Sequence, residues 1–234
     1  GLFAPHVVAA MGGSAAPSMG TDGTGARLMQ ALGHEITPLY PALVQLRCSH
    51  PALKGLKGIR TQAKLTLLID GEPAAQETGE LLLTDYGVSG VCVFQLSREA
   101  APALAQKRGV RLTVNFLPEV EAIRPWLDAR IRQLAPTSLL ALTTGVLPRL
   151  LAQTILKEAR LSPDQPVESL SEAEKDALCG VLSAFPLTVT GTQGFANAQV
   201  TRGGVSLAEV DPRTMASRLF DGLHIIGELL DADG

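Results

Sequence analysis

The chain has 234 residues, of which 46% are hydrophobic and 18% charged, with a formal net charge of −3. A chain of this length buries a core without disulfides or metals, as one large domain or two small ones. The mild acidity excludes a basic nucleic-acid or membrane-surface module, and the hydrophobic content excludes disorder and fibrous repeats.

In chain order, the first apolar run is His6-Val7-Val8-Ala9-Ala10, stopped by Gly12-Gly13. It reads as a strand buried on both faces, the habit of parallel sheets. A small-residue stretch, Ser14 to Gly25, leads into a helix pattern over Ala26 to Leu32 that Gly33 stops. Strand, glycine loop and helix are α/β grammar. After Pro38 the period changes. Leu43 to Cys48 reads as a strand, and Arg60 to Ile69 alternates, with Ala63, Leu65, Leu67 and Ile69 on one face. Asp70-Gly71 is a hairpin turn, and Gln76 to Thr84 the returning strand. Ser89 to Lys107 reads as a helix broken at Pro102, and Gly109 to Leu117 as a strand burying Leu112, Val114 and Phe116.

A helical block follows from Glu119 to Ser183. Ile123, Trp126, Leu127, Ile131 and Leu134 form one stripe, with Pro125 in the first turn, and Leu147, Leu150, Leu151 and Ile155 form another. Ser171 and Glu174 spell a capping box before a third helix, whose apolar face carries Ala177, Leu178, Val181 and Leu182. Strand patterns return over Leu187 to Thr192, Ala196 to Leu207 and Leu223 to Ile226, the last running into Gly227-Glu228.

Cys48, Cys92 and Cys179 lie far apart with no CxxC pairing, which reads as reduced thiols of a cytoplasmic protein. The longest uncharged stretch, Ala177 to Thr201, is interrupted by Pro186, Gln193 and Asn197, so no membrane association is expected. Gly87-Val88-Ser89-Gly90 falls one residue short of a nucleophile elbow, and His6, His34, His50 and His224 lack metal-ligand spacing. No metal site is expected, and no residue is an evident catalytic acid, base or nucleophile, which leaves the catalytic residues unknown. Glu77, Glu80 and Asp85 read as a solvated turn. The loop from Gly12 to Gly25 matches neither GxxxxGK[ST] nor GxGxxG, yet its amides could face a phosphate at the helix start. Glu228, just past an apolar strand, is placed to accept hydrogen bonds from ligand hydroxyls.

Four collinear blocks carry a resemblance. They are Val7 to Ser14 with the glycines up to Gly33-His34; Thr37 to Leu43; Thr78 to Thr84 with Gly87 to Gly90; and Thr201 to Val205 with Gly227 to Asp231. Together they resemble the aminoacetone-oxidase-like NAD(P)/FAD-dependent oxidoreductases of bacteria. Met11 stands where that family usually has threonine, and Val91 where proline is common.

The resemblance implies an α+β chain, an antiparallel β-barrel-like insert carrying a helical bundle. Remnants of a glutathione-reductase-type FAD-binding α/β domain would flank it. The implied boundaries are 1–37 and 201–234 for the flavin domain, 38–118 with 185–200 for the barrel, and 119–184 for the bundle. It also implies FAD as cofactor of a longer parent. Gly12 and Gly13 would lie near the dinucleotide, Gly203, Gly204 and Val205 near the flavin, and Gly227 with Glu228 at a ribityl hydroxyl. The chain reads as a middle piece of that parent, expected to hold no flavin alone. Its partners would be the rest of the FAD domain and a small-molecule substrate, with no nucleic acid and no membrane. The alternative is a non-catalytic module that covers the pocket or joins two copies in a homodimer.

Overall fold

The computed structural model describes residues 3–232. The chain divides into two units, one running to Gln45 and resuming at Thr192, the other spanning Leu46–Gly191.

The first unit holds β1 (Val7–Ala9), α1 (Thr24–Ala31) and β2 (Tyr40–Ala42) before the division. Gly33, at φ 95°, lies just past α1 and its cap Leu32, where a left-handed residue ends a helix. Leu43, at φ 49°, ends the extended run after β2, which is why the apolar stretch 43–48 is not one strand.

The second unit opens with β3 (Leu46–Ser49). β4 (Arg60–Ile69) and β5 (Glu72–Leu83) then form a long antiparallel hairpin, with Asp70 and Gly71 both at positive φ, as a tight two-residue turn requires. β6 (Gly87–Ser89), α2 (Val91–Ala105) and β7 (Val110–Asn115) follow. Four helices come next: α3 (Ile123–Leu134), α4 (Leu139–Leu142), α5 (Arg149–Glu158) and α6 (Glu172–Ser183). β8 (Phe185–Thr192) then closes a six-stranded barrel in the order β3-β6-β5-β4-β7-β8. The strand pairings described within it are antiparallel.

The two-residue period does the work here. Ala63, Leu65, Leu67 and Ile69 of β4 and Leu112 and Val114 of β7 point to one face and are buried in a single apolar core. That core also takes in α2 and the inner faces of α3 to α6. Arg124 on α3 bonds Asp128, Glu172 and Asp176, tying α3 to α6. The capping box is formed as its spelling requires, with Ser171 and Glu174 exchanging bonds.

After Thr192 come β9 (Val200–Arg202) and β10 (Leu223–Ile225), both in the first unit. β1 pairs parallel with β10, and β2 antiparallel with β9. The Gln193 amide donates to the Gln45 carbonyl at 3.0 Å, so the chain re-enters beside its exit.

The structure corrects four further readings. Val7 and Val8 are 54% and 58% exposed, because among the described residues β1 pairs with β10 alone and only its Ala9 is buried in the small core. α2 runs through Pro102. The ring removes one N–H within a turn of the helix end, and the Pro102 carbonyl still accepts from Gln106. The stretch 196–207 yields only the three residues of β9, with single helical turns on either side. Leu134, Leu150 and Ala177 face solvent, each at the edge of its stripe, while Leu127, Leu151, Ile155, Leu178 and Leu182 carry the packing. The short α4, capped by the Ser138 hydroxyl, has too few turns to show a period.

Cys48, Cys92 and Cys179 are free thiols, and burial pushes Cys48 up to about 12. Among the described residues no helix is long and apolar enough to cross a membrane.

Candidate functional site

β1 and β10 are parallel, so both point their carboxyl ends the same way, and each runs into a glycine turn. Past β1 lie Gly12 (φ 74°) and Gly13. Past β10 lie Gly227 (φ 71°) and Glu228, in a single helical turn. The two turns converge. A Cβ on Gly13 would lie 2.4 Å from the Thr201 hydroxyl oxygen and 3.1 Å from Glu228 Oε2. Gly13 is therefore glycine because β9 and the Glu228 carboxylate occupy the space a side chain would need.

The loop is fixed by bonds that carry no local signature. The Thr201 hydroxyl oxygen accepts from the amides of Ser14 (2.7 Å) and Ala15 (2.9 Å). The Thr21 hydroxyl bonds the carbonyls of Gly13 and Met11, the latter at 3.2 Å. At the start of α1, the Asp22 carboxylate accepts from the Thr24 amide at 2.9 Å and from the Thr24 hydroxyl, which holds Asp22 below the usual carboxylate range. A phosphate at this helix start would meet that carboxylate, so the structure corrects the expectation of an anion cradle there. Within the loop Gly12 is half-buried and Gly13 is buried.

Gly203 and Gly204 have partners inside the protein. A Cβ on Gly203, at φ 92°, would lie 2.2 Å from the Pro38 carbonyl oxygen, and one on Gly204 would meet the backbone of Leu229 and Leu230. Val205 is buried. Its amide donates to the Leu229 carbonyl (2.8 Å) and its carbonyl accepts from Asp231 (2.9 Å). These three residues thus set the position of the segment that carries Glu228, which is half-buried.

A second constellation has no counterpart among the expectations. His34 is buried just past α1. Its Nδ1 lies 2.8 Å from Glu209 Oε2, and its Nε2 lies 3.1 Å from Ser217 Oγ. The same glutamate oxygen accepts from the Glu35 amide at 2.9 Å, and the His34 bond holds Glu209 below the usual carboxylate range. The order Ser–His–Glu mimics a hydrolase triad, but hydrogen-bond counting decides against a nucleophile. Ser217 Oγ accepts from the amides of Leu219 and Phe220, both at 3.0 Å, so its two lone pairs are taken and its proton points to His34. The relay is a polar clasp between the end of α1 and the 206–220 segment. Its members lie 175 and 183 residues apart, which no spacing rule reaches.

The remaining candidates are local. His50 accepts from the Ala52 amide at 3.2 Å, and His6 and His224 lie 3.4 Å apart at the surface. Glu80 pairs with Arg60, and Asp85 with Lys57. Among the described residues no group of three or more His, Cys, Asp or Glu could hold a metal ion.

Residues 40–200 match the family model described as HI0933-like protein barrel and H2TH domain. The chain is 38% identical over 234 residues to a 3-dehydro-bile acid delta(4,6)-reductase of Clostridium scindens, covering 99% of this chain and 57% of that protein. It is 30% identical over 229 residues to a ribosomal RNA dihydrouridine synthase of Escherichia coli, covering 97% and 55% respectively. It is 26% identical over 234 residues to a synthase of the same description from Haemophilus influenzae, covering 98% and 55%. The chain thus spans a little over half the length of these curated relatives.

Proposed function

The chain belongs to the HI0933-like barrel and H2TH family, and from that premise we propose that it serves a flavin-dependent reductase of carbon–carbon double bonds conjugated to a carbonyl. The names of the relatives support that substrate class. A 3-dehydro delta(4,6) steroid has its double bonds in line with a ketone, and uridine becomes dihydrouridine at the bond conjugated to its ring carbonyl. Both bonds are electron-poor at the far carbon, and both reactions are net additions of two hydrogens. Flavin, when bound, supplies the hydride that such a carbon accepts.

The single observation carrying the cofactor reading is the convergence of two parallel strand ends on Gly13 and Glu228. Ligands of parallel sheets gather at the carboxyl ends of strands. Gly12, half-buried, offers bare backbone to a dinucleotide, Gly13 lets the loop close on Thr201 and Glu228, and the Glu228 carboxylate suits a hydroxyl-bearing chain such as ribityl. The residues present therefore fit a flavin dinucleotide. In this reading residues 1–37 and 201–234 belong to its binding domain, and Gly203, Gly204 and Val205 would fix the segment that carries Glu228. The exposure of Val7 and Val8 supports the same assignment, since parallel strands are normally covered on both faces.

The test is flavin retention by the full-length protein. Glu228→Ala removes a charge-assisted hydrogen bond and is expected to weaken flavin binding about tenfold, read as lost visible absorbance after gel filtration. Flavin content equal to wild type would reduce Glu228 to a structural acid.

A further inference from the structure

The first unit contains a cavity of about 470 Å³, inside the size range of small-molecule sites. Leu207, Val210, Pro212, Met215 and Leu230 make its wall, and Arg218 is the charged side chain among its described lining residues. The wall is preformed. The Asp211 amide donates to Ala216 at 2.9 Å, Met215 to Asp211 at 2.7 Å, and Ile225 to Met215 at 2.8 Å, which locks the 211–216 turn. Met215 itself sits at φ 58°, a left-handed conformation that this bonding holds in place. The Arg218 amide donates to the Glu209 carbonyl at 2.8 Å, so the base of its stem is fixed, while its side chain is exposed. No carboxylate of a described residue pairs with its guanidinium. Leu207 is 53% exposed although apolar.

The cavity shares one residue with the segment that carries Glu228. Leu230 bridges to Val205 and stands two residues beyond Glu228.

The chemistry of this wall narrows the substrate. A strand of RNA carries one charge per phosphate and is held by several cations and stacking faces. The described lining has one cation and no aromatic ring, and the whole chain is acidic. An apolar wall with one guanidinium at its rim instead suits a rigid apolar skeleton that ends in a single carboxylate, which arginine grips with two parallel hydrogen bonds. We propose that this cavity binds the substrate, and that the substrate is an amphipathic carboxylic acid whose skeleton lies against Leu207, Met215 and Leu230 and whose carboxylate pairs with Arg218. This rests on the reductase reading above and names the substrate class for it.

The experiment is calorimetric titration of the full-length protein with three probes: a C24 steroid acid bearing a 3-oxo-4,6-diene, its methyl ester, and a short uridine-rich RNA. The acid is expected to bind about tenfold or more tightly than the ester, as loss of a charged hydrogen-bonded partner implies. Arg218→Gln should bring the acid down to the level of the ester, and Leu207→Asp should weaken both. Equal affinities for acid and ester in the wild type would overturn the proposal, and so would an acid preference that survives Arg218→Gln. RNA binding tighter than the acid would overturn it in favour of a nucleic-acid substrate. Binding and reduction fail separately. An acid preference with no reduction of the diene sinks the reductase reading and leaves the cavity assigned. Reduction without an acid preference sinks the cavity alone.

Discussion

The barrel unit and the β1/β10 unit are built on different principles, and the contrast explains which of them tolerates change. The barrel and its helices share one continuous apolar core, in which β4, β7, α2, α5 and α6 all bury side chains. The β1/β10 unit has a small core around Met29, Val205, Ile225 and Leu229, and it leaves Val7 and Val8 open. Its shape comes instead from close backbone approaches at Gly13, Gly203 and Gly204 and from single bonds to Thr201 and Glu209. The first design spreads its stability over many contacts. The second concentrates it in a few positions, which suits a place where backbone must face a ligand.

The largest effect is expected where packing carries the load. Leu112→Ala opens a void in a fully buried position between β4 and β8 and should cost about 2–5 kcal/mol. Hydrogen exchange should rise throughout β4, β7 and β8 together. A rise confined to β7 would break the contrast, because it would show that the barrel is not one cooperative core.

Gly203→Ala tests the other side. Its φ of 92° and the Pro38 carbonyl 2.2 Å from a new Cβ both oppose a side chain. Backbone strain of about 1–3 kcal/mol is expected, since the carbonyl cannot yield without disturbing the bridge of Ile36 to Val205. Exchange should increase over 201–205 and 229–231 and stay unchanged in β4. Thr201→Val then keeps shape but removes the acceptor of the Ser14 and Ala15 amides, a loss of about 1–3 kcal/mol when buried donors go unpaired. Increased proteolysis within residues 12–25 would report it, and a loop as resistant as wild type would show that another acceptor replaces Thr201.

The same contrast decides what could be read from the chain. β4, the Asp70-Gly71 turn, the β7 face and the Ser171–Glu174 cap are local patterns, in which the residues that define each element are neighbours in sequence. The alternation period and the turn chemistry reach them directly. The convergence of Gly13, Thr201 and Glu228 and the His34–Glu209–Ser217 clasp are made by residues nearly a chain length apart, each ordinary in its own neighbourhood. Gly203 and Gly204 show the same limit from the opposite direction. A Gly-Gly pair suggests a ligand, yet here the backbone of Pro38 and of Leu229 and Leu230 occupies the space beside it. The exposed edge of β1 was illegible for a related reason, because an apolar run records what a strand can pack against and not which neighbour it has.

The smallest effect separates the two units by pH. Glu209 is held below its ordinary value first by the His34 bond and then by the Glu35 amide, so it binds its proton less readily folded than unfolded. The sign follows from linkage. A depressed carboxylate contributes stability that is fully present above its unfolded pKa of about 4.3 and is lost as pH falls through the folded value. Glu209→Gln keeps an oxygen for the Glu35 amide but removes the charge, so its unfolding curves should vary less between pH 5 and pH 3 than those of wild type. The difference should show in exchange at Glu35 and the 206–220 segment, with β4 and β7 indifferent. If wild type and variant lose stability in parallel below pH 4, the clasp is held by Ser217 and its two amides, and the Glu209 charge contributes nothing to the unit it closes.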